Sequence, residues 1–152
     1  MLPLCKGSSV LRILTLLIAL CSLPVAAQNA LPSLTASDAR ALQEAGEIVL
    51  IDIRQPEEWR QTGVAEGSFR ISMGHPEGGQ GFLRDVLSAV DGNTDAALVL
   101  ICRTGNRTSQ VVPALQQWGF TRIHHIPEGM LGSGYGPGWI RSGLPVEDCT
   151  HC

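Results

Sequence analysis

The stretch Leu98-Val-Leu-Ile-Cys102-Arg-Thr-Gly-Asn-Arg107-Thr108 constrains this chain more than any other. Leu98 to Ile101 is an unbroken aliphatic run, the pattern of a strand buried on both faces of a parallel sheet. From Thr108 onward, Ser109, Val111, Val112, Leu115, Gln116 and Trp118 read as a helix that ends at Gly119, a C′ glycine. Open α/β sheets place ligands at the carboxyl ends of their strands, where such a strand hands over to its helix. Cys102 is therefore expected at that edge, facing a helix N-terminus.

Three effects there stabilise negative charge on the thiol: the helix dipole, the free N–H groups of a turning loop, and the cationic Arg103 and Arg107. An unperturbed cysteine ionises near pH 8.5, and surroundings of this kind lower that to roughly 3.5 to 7.5. Gly105 allows positive φ, and Asn106 also tolerates the left-handed region. The loop Arg103, Thr104, Gly105, Asn106, Arg107 and Thr108 thus reads as a small anion cradle around a nucleophile.

Cys-Arg-Thr-Gly-Asn-Arg between a strand and a helix resembles the active-site loop of the rhodanese, or sulfurtransferase, family. Four residues separate Cys102 from Arg107, as in rhodanese loops, whereas dual-specificity phosphatases and arsenate reductases carry one more. The shorter cradle suits a single extra sulfur rather than a tetrahedral phosphate. A second segment shares the resemblance: Asp52-Ile-Arg54, Pro56-Glu-Glu58-Trp59, Gly63 and Glu66-Gly67-Ser68 are similar to the rhodanese amino-terminal motif. It departs from that motif at Val64-Ala65, where His-Ile is usual. The resemblance implies that Asp52 and Arg54 support the geometry around the active loop; the alternative is a surface ion pair of little consequence.

At 152 residues with no internal period, one domain is expected. Lys6 and Arg12 precede the apolar stretch Ile13 to Leu20, and Val25-Ala26-Ala27 supplies small residues for cleavage, so residues 1–27 read as a secretory signal peptide. The apolar stretch is short of the roughly 20 residues of a membrane span, and retention as an anchor is the alternative. Cys21 follows Leu20 rather than a small residue, which argues against lipidation. The expected setting is exported, periplasmic or secreted, with any membrane contact through an uncleaved leader. Removing the leader takes the net charge from −3 to −5, as 9 basic residues then face 14 acidic ones. That balance gives no basic surface for nucleic acid.

A linker at 28–32 leads to a domain at 33–146. Thr35 or Ser37 is positioned to cap a helix through Ala39, Leu42 and Ala45 that stops at Gly46. Ile48 to Ile53 is a second buried strand, followed by a short helix opened by Pro56. Phe69 to Met73 is a candidate strand, Gly74 to Gly81 a loop, and Phe82, Leu83, Val86, Leu87 and Val90 recur at helical spacing. His75 alone is weak evidence for a ligand. Arg122 to Ile126 is the last candidate strand, on which His124 and His125 point to opposite faces and do not easily share one metal, so a structural or solvent-facing place is favoured over a ligand role. Glu128 to Trp139 is a glycine-rich turn region, and Trp139-Ile140-Arg141 begins a final helical turn. Trp59, Trp118 and Trp139 are expected in the core. The fold class is α/β, with a parallel sheet of about five strands and helices on both faces.

The tail 147–152 ends in Cys149-Thr150-His151-Cys152, which the resemblance does not reach. With residues 1–27 gone, three cysteines remain, and pairing Cys149 with Cys152 leaves Cys102 free. A redox pair that exchanges with Cys102, or a metal site, are the other readings. By resemblance the chain transfers sulfane sulfur through a Cys102 persulfide, from a small anionic donor such as thiosulfate to cyanide or a thiol, without cofactor or metal. Two other functions fit the same sequence: a non-catalytic module that carries sulfur or binds a partner, and an envelope thiol–disulfide oxidoreductase.

Overall fold

A computed structural model describes residues 31–152. The expected signal peptide, Cys5 and Cys21 within it, and the start of the linker lie outside the described residues. In chain order the elements are α1 (Ala36–Glu44), β1 (Val49–Asp52), α2 (Pro56–Thr62), β2 (Val64–Ala65), β3 (Phe69–Arg70), α3 (Gly78–Ala89), β4 (Leu98–Ile101), α4 (Asn106–Gln117), β5 (Ile123–His125), α5 (Gly138–Arg141) and β6 (Val146–Glu147).

The central sheet is parallel throughout, in the order β3-β1-β4-β5. It has four strands where about five were expected. Ser33 joins the β5 edge by a single parallel bridge, with the His125 N–H on Pro32 O and the Leu34 N–H on His125 O, both at 3.0 Å. Pro32 has no N–H to extend the pairing, and the chain turns at once into α1. Thr35 caps that helix through the Asp38 N–H at 3.1 Å. The strand expected over Phe69 to Met73 is confined to β3, and its two residues are exposed at the sheet edge.

The two faces of the sheet are packed differently. Ile51, Ile53, Leu98 and Leu100 meet α3 and α4 through Phe82, Val86, Val111, Val112 and Leu115, and Cys102 belongs to this layer. Leu50, Val99 and Ile101 meet Ala36 and Ala39 of α1, Ile126, Met130 and Trp139. Alternation along β1 and β4 thus feeds two cores, as continuous apolar strands in a two-sided sheet must.

Two sequence expectations need correction here. The glycine-rich segment before Phe82 is partly helical: α3 begins at Gly78 and includes Gly81. A side chain at 81 would stand where the His75 ring lies, so this turn packs closely because it lacks one. Trp118 is 39% exposed rather than core, since it caps the end of α4 and lies over Gly79. Pro113 sits inside α4, where it removes one N–H from the helix.

Register delivers the site residues to one edge. Asp52 is paired with Ile101, and Leu100 with His125, so the ends of β1, β4 and β5 lie side by side. The Asp52–Arg54 pair is buried, not a surface contact, at 0% and 1% exposure. Arg54 Nε and Nη2 bind the Asp52 carboxylate at 2.9 and 2.6 Å, Nη1 donates to Thr62 Oγ1 at 2.7 Å, and Nη2 also donates to Gly63 O at 2.7 Å. One guanidinium therefore fixes the end of β1 to both the side chain and main chain that close α2. With the donors of Arg54 paired in this way, removing it strands a buried carboxylate, which costs about 3–5 kcal/mol. Arg54→Met is expected to lose that much in urea unfolding; a loss below about 1 kcal/mol, the range of an exposed pair, would contradict the account.

Candidate active site

The loop between β4 and α4 is held by the turn that follows β5. Met130 N–H donates to Cys102 O at 2.9 Å, and Leu131 N–H donates to Arg103 O at 3.0 Å. Contact is too close for side chains at two glycines: a Cβ on Gly105 (φ +84°) would strike Pro127 O, and one on Gly129 (φ +63°) would strike Arg103 O. Both also hold left-handed φ, which other residues adopt only with strain.

This clasp decides where the loop N–H groups go. The peptides are trans, so each N–H lies opposite the preceding carbonyl. Cys102 O and Arg103 O are turned to Met130 and Leu131, while Gly105 O accepts Ser109 N–H at 3.1 Å and Thr108 Oγ1 at 2.8 Å. The N–H groups of Arg103, Thr104 and Asn106 therefore face away from those partners. Among the described residues, none of the N–H groups from Arg103 through Thr108 donates to a protein acceptor. A run of amides without acceptors leading into the first turn of a 12-residue helix is an arrangement suited to receive an anion.

Cys102 is a free cysteine, 1% exposed. Its Sγ lies 3.9 Å from the Thr108 hydroxyl, which is fully buried and also 3.0 Å from His125 Nδ1. The three groups form a line from thiol to imidazole through one hydroxyl. Burial pushes His125 below the ordinary histidine pKa, so it is neutral near pH 7. A cleft of about 460 Å³ lies beside the loop, lined by Thr104, Gly105, Asn106, Ser109, His125 and Tyr135 among others, and does not include Cys102.

The arginines are arranged differently from the sequence expectation. Arg107 grips Glu58 with two bonds, at 2.6 and 2.7 Å, and Arg103 Nη1 is 3.9 Å from the same carboxylate. Glu58 Oε2 also accepts the Gln55 N–H at 3.0 Å, so it closes the first turn of α2 while it fixes Arg107. The hydrogen bond from Arg107, ahead of opposing burial, holds Glu58 below the usual carboxylate range and raises Arg107 in return. Two guanidiniums against one carboxylate leave this side of the loop cationic. Arg103, half exposed, is the one open to an incoming anion.

Sequence reasoning did not place Glu58 or His125 in the site. Glu58 stands at a capping-box position, which accounts for it locally and hides its reach to a loop 49 residues away. For the histidines, alternation shows that they part, but not which one meets Thr108. Asp52 and Arg54 lie at the neighbouring strand end, whereas Cys149 and Cys152 form a disulfide against Trp59 and Val64 of α2 and β2. Among the described residues no group of His, Cys, Asp and Glu side chains is suited to hold a metal ion.

The lowered pKa of His125 sets a pH dependence. Below about pH 6.5 the unfolded chain protonates this imidazole and the folded chain does not, so stability falls as pH drops towards the lowered folded value. Thermal unfolding between pH 7.5 and 5 should show this decline, and His125→Asn should flatten it. An unchanged profile in that variant would show that the imidazole is not held neutral.

A rhodanese-like domain is matched over residues 35–132. An uncharacterized protein of Rickettsia prowazekii is 26% identical over 100 residues, covering 64% of this chain and 81% of the relative. The polysulfide-sulfur transferase homodimer of Wolinella succinogenes is similar with a TM-score of 0.59 and 27% identity, covering 80% of this chain and 81% of that one. A Rhodopseudomonas palustris protein of unknown function, described as a possible tyrosine phosphatase, has a TM-score of 0.52 and 27% identity, covering 77% of this chain and 85% of its own. The matched span runs from the cap of α1 through β1, the Cys102 loop and the turn that clasps it, and the chain belongs to the rhodanese-like family.

Proposed function

We propose that the chain is a sulfurtransferase in which Cys102 carries sulfane sulfur from a small anionic donor such as thiosulfate to cyanide or a thiol. The observation that carries this reading is a free cysteine at the root of a loop whose N–H groups, Arg103 through Thr108, have no acceptor among the described residues. As a thiolate, Cys102 attacks the outer sulfur of thiosulfate; the S–S bond of the donor breaks and sulfite leaves with the bonding pair. The persulfide anion then sits among the loop amides, which are fixed before the reaction and need no reorganisation. An acceptor thiolate or cyanide attacks the terminal sulfur and restores Cys102. Arg103 attracts the donor, while Arg107, held by Glu58, stiffens the loop that receives the sulfur.

Burial of the thiol supports a slender reacting group, since a single sulfur atom demands less room than a phosphate ester. The spacing of four residues between Cys102 and Arg107 supports the same preference. The reading extends to an exported protein acting in the periplasm or outside the cell, cleaved after Ala27.

The test follows thiocyanate release from thiosulfate and cyanide together with the intact mass of the chain. Wild-type protein is expected to gain the mass of one sulfur on Cys102 and to turn over; Cys102→Ser should do neither. Arg103→Gln is expected to raise KM for thiosulfate by roughly three- to tenfold with little change in kcat, because it acts through an exposed charge. Loading without transfer to cyanide or thiols would replace the enzyme with a sulfur carrier, and failure to load at all would overturn both.

A further inference from the structure

The disulfide between Cys149 and Cys152 is poorly placed to act as a staple. It joins residues three apart, so it closes a very small loop and restricts the unfolded chain little. The preceding residues are already held, because β6 pairs with β2. Its surroundings suit another task. Arg70, at the end of β3, places Nη1 3.3 Å from Cys149 Sγ and 3.0 Å from Cys152 Sγ. A guanidinium gains little from a neutral disulfide and much more from a thiolate.

The two sulfurs differ in access. Cys149 is 3% exposed and packs on Trp59 and Val64, whereas Cys152 is only partly covered. Arg60 steadies the second residue, donating from Nη1 to Cys152 O at 2.9 Å. The adjoining carboxylates are engaged elsewhere: Glu147 accepts the Gly67 N–H at 2.9 Å, and Asp148 accepts the Thr150 hydroxyl at 2.7 and 2.6 Å. Arg70 is thus the cation that both sulfurs meet.

We propose that Cys149 and Cys152 form a thiol–disulfide exchange site, reduced by a dithiol partner and assisted by Arg70. A thiolate of the partner attacks the accessible Cys152 Sγ and bonds to it. The Cys149–Cys152 bond breaks, and its electron pair leaves on Cys149 as a thiolate beside the guanidinium. The partner's second thiolate then attacks its own sulfur in the mixed disulfide and displaces Cys152 as a thiolate. Two electrons pass from the partner, which ends as a disulfide, and the displaced thiolates take protons from solvent according to their pKa values. Cys102 takes no part, so this site stands or falls apart from the sulfur-transfer reading.

The experiment uses the full chain with reduced glutathione or dithiothreitol as probe, quenched by alkylation and resolved by peptide, so that residues 149 and 152 are read separately from 102. Reduction should proceed through a glutathione adduct on Cys152. It should slow by roughly two- to fivefold in Arg70→Gln, the range of one exposed charge pair, and more in Arg70→Glu. High salt should narrow the gap between wild type and Arg70→Gln. Equal rates in all three proteins, an adduct on Cys149, or a bond that resists both reductants would each overturn the proposal. Circular dichroism of the variants separates loss of the cation from loss of the fold.

Discussion

The structure depends on a backbone clasp between two loops, in which the turn after β5 takes the carbonyls of Cys102 and Arg103. Because trans peptides oppose N–H and C=O, consuming those carbonyls on one side presents amides on the other. The glycine pair makes the approach possible, since neither Gly105 nor Gly129 has room for a Cβ. A polar loop at a sheet edge thereby becomes a set of fixed donors without any side chain having to supply them. Such preorganisation is what makes amides effective towards charge that develops during reaction.

Everything else at that edge keeps the clasp and the thiol in position. The buried Asp52–Arg54 pair fixes the end of β1 to the end of α2, and α2 in turn presents Glu58 to Arg107. Glu128, itself buried, accepts the first N–H of α1 at 2.6 Å and that of α5 at 2.8 Å, binding the clasping turn to two helices. On the other side of the loop, Thr108 connects Cys102 to His125. The site is thus supported by charges that are paired and by hydroxyls that are satisfied, which is how buried polar groups are tolerated.

Much of this was legible in the residues. The aliphatic run into Cys102, the glycine in the loop and the helix behind it are local features, and they single out this cysteine and its loop without tertiary information. The rest was not local. Glu58 satisfies its own helix, so nothing in its neighbourhood announces the contact with Arg107. The sheet stops at four strands, with Ser33 adding only a bridge because a proline and a helix cap flank it, and Trp118 remained exposed because it ends α4 rather than facing the sheet. The helical start at Gly78 runs against the low helix propensity of its glycines, and the His75 ring occupies the space that a side chain at Gly81 would need.

The central claim is that the amides of Arg103 through Thr108 receive the anionic sulfur. Amide resonances of the chain, followed by NMR as thiosulfate is added, test it most directly. The account predicts downfield shifts confined to these amides, centred on residues around Cys102 and absent from the stalled loop of Cys102→Ser once excess donor is removed. Shifts that appear instead along the cleft lined by His125 and Tyr135, with the loop amides unmoved, would contradict it.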